Sequence, residues 1–189
     1  MKIVNKTIDK SNELKESVVE GLAEVMTDDR EYLVDSSRHN SQIELLKSYE
    51  PGTLSNKIPT SFYSYFGFRD WYRYPLIYPY SINCIDVADF GQIYDERNAV
   101  DITYDDKGVN QLQVYGITKF AFDKNYLIAK LSSQFDTEER GYVIFKFSSQ
   151  EYEQFNNYSE LMKKANEYGY EGSDLITIKE YDKLFFKSP

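Results

Sequence analysis

The chain has 189 residues, 41% hydrophobic and 16% aromatic, and a formal net charge of −9 at pH 7. That length suits one domain able to bury roughly 70% of its unfolded surface. An acid excess with no run of Lys and Arg argues against a nucleic-acid partner, whose phosphates would be repelled. A single cysteine, Cys84, excludes an internal disulfide framework. No stretch approaches the roughly 20 apolar residues that a spanning helix needs, so no membrane association is expected.

Met1-Lys2-Ile3-Val4 leads into Asn5, Lys6 and Thr7 rather than an apolar run, so no signal peptide is expected and the reading is cytoplasmic. From Asp9 or Ser11, Leu14, Val18, Leu22 and Val25 or Met26 recur at helical spacing. Tyr32-Leu33-Val34 is a short apolar patch. Ser41 and Glu44 then form a capping-box pattern opening a second helix through Leu45, Leu46 and Tyr49, stopped at Pro51-Gly52. Residues 1–50 thus read as a helical N-terminal segment, and 51–75, with Pro51, Gly52, Pro59 and Gly67, as a loop-rich aromatic connector.

The pattern changes to strands over 76–189. Tyr80 to Asp86 alternates, with Pro79 at a strand start or edge because it cannot donate to a ladder. A hairpin is expected over 99–104 and 109–117, turned by Asp105-Asp106-Lys107-Gly108. A second joins Phe120–Phe122 to Tyr126–Leu131 through Asp123-Lys124-Asn125, and a strong strand follows at Tyr142–Phe147. Ser148 and Glu151 repeat the capping-box pattern. They suggest a long helix near 149–168 carrying Phe155, Tyr158, Met162 and Ala165 on one face and ending at Gly169. A strand near 175–178 and an amphipathic tail close the chain. The expected class is α+β: one domain, a mainly antiparallel meander, an N-terminal helical segment and a helix packed after the third hairpin strand. The short turns argue against parallel crossovers, which need a dozen or more residues.

Motifs for known chemistries are sparse. The nine glycines stand singly, so no phosphate-binding loop is formed. One His and one Cys leave no His/Cys metal set. Asp101, Asp105 and Asp106 approach a hard-cation cluster but lack the Ca²⁺-loop spacing, and read as turn residues. No metal and no cofactor are expected. His39, in a polar stretch, and Cys84, in an apolar strand, read as a surface histidine and a buried thiol rather than as a catalytic pair.

From Ser61 to Tyr80 ten of twenty residues are aromatic, and Asp86, Asp89 and Asp95 follow. With few aliphatic residues, rings must fill the core somewhere. The same stretch also carries a candidate contact patch of Phe68, Arg69, Trp71, Tyr72, Arg73, Tyr74, Tyr78, Asp86 and Asp89, since Tyr, Trp and Arg dominate binding hot spots. A third reading is a carbohydrate-binding or hydrolytic site, with Asp86, Asp89 or Asp95 beside a Trp71 platform. In size, acidity and single-domain character the chain resembles the small acidic proteins that bind and neutralise a partner, immunity proteins of bacterial toxins among them. That resemblance rests on composition and size and assigns no residue a role. It implies a non-enzymatic protein-binding domain that neutralises or scaffolds a basic protein, in an oligomeric state left open.

Overall fold

The structure is a computed structural model describing residues 31–34, 40–50, 52, 58–97, 100–101, 114–133 and 139–186. The helix expected from Asp9 to Met26, His39 and the Asp105–Gly108 turn lie outside these residues, as does most of the hairpin around that turn. Glu31–Pro189 makes up one compact unit. Its elements are β1 (Glu31–Leu33), α1 (Ser41–Ser48), a 3-10 turn (Thr60–Tyr63), β2 (Tyr65–Phe68), β3 (Trp71–Pro75) and β4 (Tyr80–Ile85). Then come β5 (Gly91–Asp95), β6 (Val100–Asp101), β7 (Tyr115–Phe122), β8 (Tyr126–Ser132) and β9 (Glu139–Lys146). β10 (Tyr152–Phe155), α2 (Tyr158–Glu167), β11 (Ile176–Thr177) and α3 (Ile178–Phe186) complete the order.

The strands form an antiparallel meander, β1-β2-β3-β4-β5-β7-β8-β9-β10, with β6 beside β5 and β11 beside β7. The fold is α+β, as the alternating turns and strands imply. Short connections dictate this: Asp123 turns β7 into β8 by accepting from the Asn125 and Tyr126 amides at 2.7 and 2.9 Å.

β4 and β9 lie four ladders apart in the sheet order, about 19 Å in a flat sheet at about 4.8 Å per ladder. Yet Tyr80 Oη donates to the Phe147 carbonyl at 2.9 Å, and its ring lies 5.5 Å from that of Phe145. The sheet therefore curls until its two halves meet. Bulges allow the bend: register shifts fall between Ile117 and Lys119 and between Leu131 and Ser132. Beside them Gly116 has φ 89, and a Cβ there would sit 2.2 Å from the Ser132 carbonyl oxygen.

The concave side holds the larger core. Ile82, Cys84, Ile93, Ile117, Phe120, Leu127 and Phe145 are fully shielded, and α3 drops Tyr181 and Phe185 among them. At about 25 cal/mol per Å² of apolar surface, this enclosed cluster is the main stabilising contribution. α2 covers the other face, Leu161 and Ala165 packing on Ala121, Ile128 and Ile144.

Three local expectations need correction. Residues 65–75 are two strands, not connector: rings occupy both faces of β3, so no polar alternation betrays it. Ser148–Glu151 is a hairpin turn, Ser149 Oγ donating to Glu151 Oε2 at 2.7 Å, and 152–155 pairs with β9 as β10. The helix begins only at Tyr158, capped by Asn157 accepting from the Glu160 amide at 2.9 Å, and buries Leu161 rather than Met162. α1 likewise takes Asn40 as its cap, with the Gln42 and Ile43 amides at 3.0 and 3.1 Å, one residue ahead of Ser41.

Candidate functional site

The β2–β3 and β4–β5 hairpins end side by side. Register places Trp71 directly opposite Phe68 on one strand and Ile85 on the other. Cross-strand partners have neighbouring Cβ atoms, so the three side chains form one row. Trp71 and Phe68 are half-buried, while Ile85 keeps 58% of its surface exposed. The Tyr65 ring lies 5.9 Å from that of Trp71.

The turn residues frame this row. Arg69 is exposed, with φ 54, and its guanidinium carbon lies 4.8 Å from the Phe68 ring centroid. Asp86 has φ 66 and donates its amide to the Asp70 carbonyl at 2.8 Å, locking the two tips together. Asp70 and Asp86 are both exposed. Left-handed conformations at an Arg and an Asp cost on the order of 1 kcal/mol each and collect at functional positions.

The other candidate residues separate. Arg73 is 3% exposed: its Nε pairs with Glu96, its Nη1 donates to the Phe62 carbonyl at 2.9 Å and also to that of Tyr65, and its guanidinium covers the Phe62 ring at 4.7 Å. It ties the 3-10 turn and β2 to β3. A strand of period two and an intervening turn send Arg69 and Arg73 to different environments. Tyr74 is buried against Phe66, and Tyr72 packs on the core from its edge. Tyr78 is half-buried, its ring 5.2 Å from Phe62 and capped by Arg97. Of the nine residues, Phe68, Arg69, Trp71 and Asp86 are brought together. Ile85 joins them through strand register, and Asp70 through the bond from the Asp86 amide, long-range pairings for which a single sequence offers no signal.

Asp89 forms an ion pair with Lys179 at 2.7 Å. Asp95 is buried at the opposite end of β5, where it accepts from the Arg97 amide at 3.0 Å and from Gln150 Nε2 at 3.1 Å. Asp95 pairs with Tyr80, at the start of β4, whereas Asp86 follows its last residue. Six residues at about 3.4 Å separate these two carboxylates by about 20 Å, far from the roughly 5–9.5 Å of a glycosidase pair. Among the described residues no three His, Cys, Asp or Glu side chains cluster as metal ligands. Cys84 is fully buried opposite Tyr72, and burial pushes its thiol up to about 12.

No protein-family model, curated protein or solved structure matches the chain. The geometry therefore carries the functional argument.

Proposed function

We propose that the chain is a non-enzymatic protein-binding domain that docks a basic protein partner through the row of Phe68, Trp71 and Ile85. The observation that carries the reading is the exposed Ile85 beside a half-buried Trp71, bracketed by the carboxylates of Asp70 and Asp86. A half-exposed tryptophan offers a rigid anchor that loses little entropy on binding, and the apolar strip excludes water around it. The flanking acids select a partner whose own apolar anchor is ringed by Lys or Arg, and the net charge of −9 steers such a partner toward the chain.

The test is affinity capture from lysate of the native source, comparing the wild-type chain with Trp71→Ala and Ile85→Asp. A captured basic protein that both variants release supports the reading. Capture that survives both substitutions, or capture of nucleic acid or acidic proteins instead, overturns it. The carbohydrate alternative calls for carboxylates converging on Trp71; Asp89 is paired with Lys179, and Asp95 lies opposite Tyr80, at the other end of β4 from Asp86.

A further inference from the structure

Where β5 leaves β7, the sheet splits. β5 pairs with β7 at Tyr115 and Ile117, and β11 takes over the same strand at Lys119 and Phe120. Thr118 sits at the handover, within the β7 bulge, with its hydroxyl near the Lys130 carbonyl at 3.5 Å. A cleft of about 460 Å³ opens there, within the range of small-molecule sites.

Four parts of the chain build the cleft. Val87 and Phe90, from the β4–β5 turn, give it an apolar wall, and the Phe90 ring is held edge-on to Tyr115 at 5.0 Å. Lys119 on β7 lies directly opposite Thr177 on β11, and Lys179 is the second residue of α3. Two lysines therefore line one cleft with a single lining carboxylate, Asp89, in a protein of net charge −9. Glu180 also lies near Lys119, but one of its oxygens is occupied capping the Thr177 amide and hydroxyl, both at 2.8 Å. Asp89 holds Lys179 at 2.7 Å across the cleft mouth.

We propose that this cleft binds a small organic anion: a carboxylate carried on an apolar body, the body against Val87 and Phe90 and the carboxylate between Lys119 and Lys179. Asp89 is its internal competitor, occupying Lys179 until an incoming carboxylate displaces it. This site is separate from the Trp71 row and needs no protein partner.

The test is an NMR titration of the intact chain with benzoate, and with benzylammonium as a probe of equal shape and opposite charge. Saturable shifts at the Val87, Thr118 and Thr177 amides with benzoate, and none with benzylammonium, are expected. Lys179→Gln and Lys119→Gln should each weaken benzoate about tenfold, the loss of one charge-assisted hydrogen bond, and Asp89→Asn should tighten it. All three positions are exposed, so folding is retained, and the contrast between the two probes stands on the wild-type chain alone. Benzylammonium binding as well as benzoate, no saturable shift at these amides, or benzoate affinity indifferent to both lysines would overturn the proposal.

Discussion

Tyr181 and Pro75 are 106 residues apart in sequence, and the phenol of one donates to the carbonyl of the other at 2.6 Å inside the core. This bond fastens the C-terminal helix α3 to the end of β3, in the concave side of the curled sheet. Tyr181 is 2% exposed, and its ring makes edge contacts with Phe120 at 4.9 Å and Phe185 at 5.1 Å. The helix thus buries Ile178, Tyr181 and Phe185 on one face and leaves Lys179, Glu180 and Lys183 exposed on the other, as its amphipathic sequence implies.

Tyr181→Phe keeps those ring contacts and strands one buried carbonyl. Such an orphaned acceptor costs about 1–3 kcal/mol. Urea denaturation should show the midpoint falling with the slope unchanged; an unchanged midpoint would mean that the bond contributes nothing net.

Arg73 supports structure rather than contact. Arg73→Met leaves Glu96 without its partner and two carbonyls without a donor, at a cost of about 3 kcal/mol. Trp71→Ala and Ile85→Asp, at the exposed row, should change stability much less while abolishing partner capture. Thermal melts of the three variants, set beside capture assays, separate the two roles.

Asp123 closes more than its own turn. Besides the Asn125 and Tyr126 amides, its other carboxylate oxygen accepts from the Glu171 amide at 2.8 Å, anchoring the segment that leaves α2. Asp123→Ala should cost about 2–4 kcal/mol, since a buried carboxylate bonded to three amides makes charge-assisted bonds. Hydrogen exchange should accelerate first at Tyr126 and Glu171. Protection unchanged at Glu171 would refute that anchoring role.

Cys84 and the buried tyrosines set an alkaline limit. Burial raises the Cys84 thiol from 9.0 to about 12, and burial also raises Tyr74, Tyr80, Tyr170 and Tyr181 above their usual range. In the unfolded chain these acids release protons at lower pH than in the folded one, so the unfolded state binds fewer protons there and stability falls with rising pH. For Cys84 the contribution is complete below about pH 9 and lost as pH climbs toward 12. Denaturation midpoints should be flat with respect to these groups at neutral pH and decline across that window. At pH 8 a thiol reagent should leave the native protein unmodified and label it once denaturant is added; rapid labelling of the native state would contradict the burial.

Gly116→Ala tests the bend. A methyl group at φ 89, 2.2 Å from the Ser132 carbonyl, must push β7 from β8 at the bulge. A loss of about 1–3 kcal/mol is expected, more than the few tenths typical of a surface change. An Ala variant as stable as wild type would show that the bulge is not needed for the curl.

The sequence by itself determined the class. Short turns between alternating segments leave an antiparallel meander as the economical arrangement, and Asp123-Lys124-Asn125 names its own hairpin because an Asp side chain bonds amides two and three residues ahead. It also led to an expected core of aromatic rings, whereas aliphatic Leu46, Leu76, Ile82, Ile93, Ile117, Leu127, Ile128 and Leu131 outnumber Phe66, Phe120, Phe145 and Tyr181 among the largest fully buried side chains. It misassigned 65–75 and 149–157, where rings on both faces of a strand erase the period-two signal and a Ser-Ser-Gln-Glu turn imitates a helix cap. Only the tertiary structure decided which rings and charges face outward. Arg69 and Arg73 are the same residue type four apart, yet one stands at an exposed turn and the other is buried on Glu96 and two carbonyls. The Trp71–Ile85 row and the cleft between β5 and β11 depend on register and on curvature. Both arise from long-range pairing and glycine bulges, which local spacing along the chain does not encode.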